Sequence, residues 1–379
     1  MSRPDFQHFE LEKLLSLYEY TVEYNYSESG VHPMMLGELL GDSGLQDALL
    51  ETELNYPEVN GNTELRQLIS ERYDGAGPDN VLVTVGAAEA NYVTAATLLE
   101  PGDEVVTMRP HYPQVWGLAK NAGITIKSFD LEESQGWAVN LDQLEESLTG
   151  RTKMIAVCNP NNPTGYILTD AEMDAIVDAA DKVGAWILAD EVYSGAERNR
   201  DEETRSFYGR YDRVLAINSM SKAYGLPGLR IGWVAGPEDM IDEIWRRHEY
   251  TTISSSMLGN KLAAIALSPE VRPQIIARTR ELIQNGFDVL EETLARREGM
   301  FSIVPSQASA MTFVRYHLDI NSSQLVERLR LEKSVLVVPG DMFGLDHHLR
   351  ISFALPTDYL RPGLDRLNEL MDEIAAENG

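Results

Sequence analysis

Apolar, strand-like runs and helix-like stretches alternate for about 150 residues in the middle of this sequence, and that alternation limits the fold more than any other feature. Val81–Val85, Glu104–Met108, Ile124–Phe129, Met154–Cys158, Ala185–Ala189, Val214–Asn218 and Ile231–Ala235 read as strands. The Ala-rich stretch from Gly86 to Leu99, Gln114–Ala122, and Asp170–Lys182 behind a Thr169 cap read as helices. The pattern predicts an α/β fold with a mostly parallel, seven-stranded-type sheet covered by helices on both faces. The last third differs. A long helical stretch, Pro273–Glu298, precedes strands at Thr312–Tyr316, Val335–Val338 and Leu349–Phe353 and a C-terminal helix, which predicts a smaller α+β domain. Residues 45–270 are expected to form the large domain, and 1–44 with 271–379 the small one. The helix-like spacing of Phe9–Tyr24 is expected to fold back onto the small domain.

Charge removes several classes of partner. The formal net charge is -28, with 60 acidic against 32 basic residues, so phosphate backbones and anionic membrane faces repel the chain. Such acidity with few lysines suits a solvated surface in a salt-rich habitat. The single Cys158 excludes an internal disulfide and a multi-cysteine metal site. His347-His348 is the one His pair with ligand-like spacing, and strand alternation predicts a surface position for it rather than a metal site. Met1-Ser2-Arg3-Pro4-Asp5 lacks a targeting pattern and no apolar run reaches about 18 residues, so a cytoplasmic protein is expected.

In open α/β sheets, ligands bind beyond the carboxyl ends of the strands. Gly86-Ala87-Ala88 follows the first strand at a helix start, where free N–H groups suit a phosphate. Asn162 lies in the turn Asn159-Pro160-Asn161-Asn162-Pro163-Thr164-Gly165, and Asp190 and Tyr193 follow the next strand. Ser219, Ser221 and Lys222 follow another, with Arg230 close behind. Each has a plainer reading alone: Asp190 as a solvated strand end, Lys222 as a surface group, the glycine turn as an ordinary α/β connection. Together they match one small molecule, pyridoxal phosphate. Its aldehyde needs an amine, its pyridine nitrogen a carboxylate, its phenolic oxygen donors, and its phosphate N–H groups, hydroxyls and an arginine. No GxGxxG follows a strand, which argues against a dinucleotide fold.

Asn159–Gly165, Ala189-Asp190-Glu191-Val192-Tyr193, and the run from Ser219 through Lys222 and Arg230 to Trp233 resemble the class I/II aminotransferases, fold-type I enzymes dependent on pyridoxal phosphate. The resemblance runs from about Tyr56 to Arg350. It implies that Lys222 carries the cofactor as a Schiff base and shuttles the proton, that Asp190 pairs with the ring nitrogen, and that Tyr193 and Asn162 hold the phenolic oxygen. Ser219, Ser221, Arg230 and the Gly86-Ala87-Ala88 corner would bind phosphate. Tyr112 would stack on the ring, and Tyr56 would reach the phosphate of a neighbouring subunit, making the unit a homodimer. Arg350 would clamp the substrate α-carboxylate, with Asn162 beside it. Many relatives have Ser or Thr in the place of Ala88, so a hydrogen bond worth about 0.5–1.5 kcal/mol is forgone there.

The reaction implied is transfer of an amino group from an α-amino acid to a 2-oxo acid. Ser27-Glu28-Ser29-Gly30-Val31-His32-Pro33 resembles a segment of capreomycidine-synthase-type relatives, which cyclise arginine derivatives by elimination and readdition. That makes a cyclase or lyase the alternative, with Val31 and His32 as candidates for substrate contact; a non-catalytic cofactor-sensing module is disfavoured by the charge.

Overall fold

The structure, a computed structural model, describes residues 6–41 and 43–378; the Met1–Asp5 segment lies outside them. Its central sheet contains β1 (Val81–Thr84), β2 (Glu104–Arg109), β3 (Thr125–Glu132), β4 (Ala138–Val139), β5 (Thr152–Cys158), β6 (Trp186–Asp190), β7 (Val214–Ser219) and β8 (Gly232–Ala235), in the order β1-β8-β7-β6-β5-β2-β3-β4. The five strands from β7 to β3 are parallel, and β8 runs against them between β7 and β1. Seven strands form the expected sheet; the eighth, β4, is a two-residue hairpin return on β3. Because β8 is antiparallel to both neighbours, β1 points the same way as the parallel strands. The carboxyl ends of β1, β5, β6 and β7 therefore open on one edge.

The parallel strands β2, β5, β6 and β7 are near-continuously buried, as strands covered on both faces must be, while β3 nearer the sheet edge is only partly so. Local signals fix the helices. Thr169 and Glu172 form a capping box on the Asp170–Val183 helix, which stops at Gly184 in the left-handed region. The last third builds an antiparallel sheet from β9 (Phe301–Ile303), β10 (Met311–Tyr316), β11 (Val338–Pro339) and β12 (His348–Ser352), in the order β9-β10-β12-β11. Among the described residues, no helix is long and apolar enough to cross a membrane.

Three sequence expectations shift. The single strand expected at Val335–Val338 divides. Val335–Leu336 pairs in parallel with Tyr24–Asn25, and only Val338–Pro339 joins β12. The N-terminal helix covers Glu10–Tyr18, and beyond it Glu23 and Tyr24 give their N–H groups to the Ser334 carbonyl. It does not simply fold onto the small sheet: Leu11 and Leu15 are buried in a cluster drawn from both sheets, including Met108, Val157, Met311 and Phe313. Finally, His347 and His348 do point apart, but His348 is 2% exposed, stacked on Phe313 at 4.7 Å, with Nε2 3.3 Å from Glu133. It is packed, not displayed.

Candidate active site

The open edge holds a cavity of about 450 Å³. Its walls include Ala87, Ala88, Tyr112, Asn162, Asp190, Tyr193, Ser219, Ser221, Lys222, Arg230 and Arg350. All of these were expected from the sequence. Gly86 stands just behind them.

Each wall is set by its turn. After β1, Gly86 has φ +76°, and a Cβ there would lie 2.5 Å from a guanidinium nitrogen of Arg230. Gly232 closes on the same corner, since its Cβ would meet the Ala87 nitrogen at 2.5 Å. The Gly86–Leu98 helix starts without a side-chain cap, which leaves its first N–H groups beside Arg230. Arg230 adopts φ +49° and donates to the Ser221 hydroxyl at 3.3 Å, while the Ser219 hydroxyl accepts from the Ser221 N–H at 3.3 Å. This is an anion cradle that any Cβ at Gly86 would fill.

After β5, Asn161 pins the turn: its carbonyl oxygen accepts from the Thr164 hydroxyl at 2.8 Å and its amide donates to the Pro110 carbonyl at 3.2 Å. That places Asn162, which donates to the Tyr193 phenol at 3.3 Å and accepts from Arg350 at 3.1 Å. Arg350, on β12, is fully buried and also donates to the Ser27 carbonyl; its Nε has no partner among the described residues. A buried guanidinium nitrogen without an acceptor is costly.

At the back of the cavity Asp190 is buried, which raises its pKa to about 6 against the pull of the Val192 N–H, Asn91 and Lys222. Burial likewise raises the neighbouring Glu191 to about 7. Unfolded, both carboxyls lose their protons near 3.8 and 4.5. Between those values and 6 to 7 the folded chain binds more protons, so rising pH through that window destabilises it. Asp190→Asn removes one of the two contributions. The cofactor-free variant should gain on the order of 2–3 kcal/mol relative to wild type between pH 4 and pH 8, read by thermal melting. An equal gap at both pH values would contradict the assignment.

Two expected contacts lie elsewhere. Val31 is buried in the main apolar cluster and His32 gives its N–H to the Ala354 carbonyl; neither lines the cavity. From that segment the cavity takes Glu28 and Ser29 instead. Glu28 lies 3.7 Å from the Lys222 ammonium, and Gly30 allows the approach, since its Cβ would already sit 3.1 Å from the Ser221 carbonyl. Tyr56 is 83% exposed and outside the cavity. No local sequence signal marks Phe9, Leu11, Glu12 and Leu15, which roof the cavity, or His111 near Asp190, whose two ring nitrogens are buried and unpartnered among the described residues and whose pKa is pushed down to about 4 by that burial. Glu12 accepts the Tyr112 hydroxyl at 2.6 Å.

The comparisons with known proteins give the family. A family model described as aminotransferase class I and II matches residues 44–367. Capreomycidine synthase of Streptomyces vinaceus is 34% identical over 90% of this chain and 88% of its own. An aspartate aminotransferase of Streptomyces avermitilis is 29% identical over 84% and 80%. The crystal structure of a PLP-dependent aminotransferase from Streptococcus suis superposes with a TM-score of 0.91 at 30% identity, covering 99% of each chain. With its strands, its cradle and its lysine in this order, the chain belongs to the class I and II aminotransferase family.

Proposed function

We propose that the protein moves the amino group of an α-amino acid to a 2-oxo acid at the cavity around Lys222. The observation that carries this reading is the buried, partly unpartnered guanidinium of Arg350 in the same cavity as the Lys222 amine. The protein is a pyridoxal-phosphate-dependent transferase, and the residues present fit that cofactor: a cradle at Gly86, Arg230 and Ser221, a carboxylate at Asp190, donors at Asn162 and Tyr193. When bound, pyridoxal phosphate supplies an aldehyde for amines and a ring that draws electrons from bonds at the substrate α-carbon.

Arg350 receives the α-carboxylate as a fork and Asn162 holds that fork in place. With the cofactor in place, Lys222 Nζ would be the base positioned to take the proton from the substrate α-carbon. Asp190 would hold the cofactor's ring nitrogen in its protonated form, because a buried carboxylate near pKa 6 is stabilised by a cation against it. The Glu10–Tyr18 helix, anchored by Leu11 and Leu15, shields the cavity from water. Tyr56, exposed here, would complete a neighbouring subunit's site in a homodimer.

A second reading is elimination or cyclisation at the substrate side chain, with the amino group kept. The proximity of Glu28 to Lys222 favours it, since such chemistry needs an additional acid or base. One experiment separates the two. Transamination predicts that an amino acid alone removes the visible absorption of the bound cofactor, releases one equivalent of 2-oxo acid, and that added 2-oxo acid restores the absorption. Product formation with no acceptor and no lasting spectral change supports the second reading instead.

A further inference from the structure

A second cavity, of about 780 Å³, is bounded by β2 and β3 on one side and by β9, β10 and β12 on the other. Among the described residues it shares no wall residue with the cavity around Lys222. We infer that it binds an uncharged small molecule, an apolar body bearing a carbonyl oxygen that accepts from the indole N–H of Trp137.

Trp137 closes the turn that brings β3 back as β4, giving its backbone N–H to the Glu132 carbonyl at 2.8 Å. It sits there at φ +71°, a region that bulky residues rarely enter and that persists where the surroundings over-determine it. The indole is 2% exposed, with ring centroids 6.0 Å from Phe313 and 6.2 Å from His348 of the antiparallel sheet. It forms part of the cavity wall, yet its buried Nε1 has no acceptor among the described residues. Buried indole N–H groups ordinarily find a partner, and one without pays the loss of its hydrogen bond to water. A cavity of this size is in the range of small-molecule sites, roughly 300–1,000 Å³.

The rest of the wall selects the partner. Around Trp137 it is apolar, with Pro110, Leu131, Val304 and Phe343. The charged groups at its edge are already matched. Arg109 holds Asp130 at 2.8 Å, Arg315 holds Glu133, and Glu133 lies 3.3 Å from His348 Nε2. Glu132, the remaining carboxylate, accepts from the neutral Asn140 amide at 2.6 Å, so an anionic ligand would meet uncompensated negative charge. An ammonium would meet the two guanidinium groups at the same edge. A carbonyl supplies the missing acceptor, carries no net charge, and brings no donor that an apolar wall would leave unmet.

The place of this cavity ties it to the catalytic one. Pro110 lines it, and Tyr112, two residues on, lines the cavity around Lys222. His348 lines it, and Arg350, again two residues on, lines the other. A molecule held here rests on the two segments that carry Tyr112 and Arg350.

The test is a titration of the holoenzyme followed by NMR of the ligand, with acetophenone as the neutral carbonyl probe and benzoate as its anionic counterpart. Acetophenone should bind saturably. R350Q is titrated with both probes, so that benzoate held by the Arg350 guanidinium is not counted. There acetophenone should bind as it does to wild type and about tenfold or more tighter than benzoate. W137F keeps a ring against Phe313 but removes the N–H, and should weaken acetophenone about tenfold. V304W fills the cavity from a second position and should abolish the binding with Trp137 untouched. Retained absorption of the bound cofactor shows that each variant is folded. Absence of saturable acetophenone binding overturns the inference and leaves the indole to an ordered water only. Equal affinity of R350Q for benzoate overturns it too, as does wild-type acetophenone affinity in either W137F or V304W.

Discussion

Replacing Lys222 with alanine should lower turnover by about a thousandfold or more. The reason is exclusivity. Among the described residues, Lys222 is the only amine lining the cavity, and no other wall residue can both condense with an aldehyde and accept a proton. The burial of Tyr193 pushes its phenol far above neutral pH, so it stays protonated. The substitution removes few packing contacts, and it leaves Glu28 half exposed to water, so folding should survive. Two measurements check this. Single-turnover rates report the chemistry. Borohydride treatment should fix the cofactor's mass on wild-type Lys222 and leave the variant unlabelled. Activity within tenfold of wild type would remove Lys222 from the role given to it.

Arg350→Gln carries the second large effect. Glutamine keeps a donor for the Ser27 carbonyl but loses the fork and its charge. Withdrawing a buried charged partner costs about 2–5 kcal/mol, so kcat/KM for the amino acid should fall about 30-fold or more. The loss should appear mainly in KM, because the carboxylate is held equally before and during the reaction. Cofactor affinity should barely change, since Arg350 stands on β12 and the phosphate cradle on the turns after β1 and β7. A fall in kcat with KM untouched would mean that Arg350 serves the reacting atoms rather than the carboxylate.

Asp190, Lys222 and Gly86 were legible in the sequence because each ends or follows a buried strand, where chemistry and fold are written in the same few positions. Asp190 ends a buried strand, Lys222 sits in the turn after another, and Gly86 marks a turn that admits no Cβ. What stayed hidden is long-range. Glu12 reads as the solvated face of a short amphipathic helix, and no local pattern says that it leans on Tyr112, 100 residues away. Glu28 lies in a segment whose candidates were Val31 and His32. Only the close passage at Gly30 shows which side chains face Lys222. His348 obeys alternation, yet its burial depends on Glu133 and Phe313, both distant in sequence. Val335–Val338 looked like one strand because periodicity cannot report that its halves pair with different partners.

The parallel ribbon joining Tyr24–Asn25 to Val335–Leu336 also bears on the order of assembly during synthesis. The first forty residues emerge from the ribosome long before the strand that receives them, and closing so long a loop is slow. Ser27 likewise waits for Arg350, and His32 for Ala354. The phosphate cradle, written between Gly86 and Gly232, can form while the last third is still being made. The nascent chain should thus acquire its grip on the cofactor before its grip on the substrate. A ribosome-stalled chain ending before Ser334 should then retain pyridoxal phosphate while its roof helix remains open to protease.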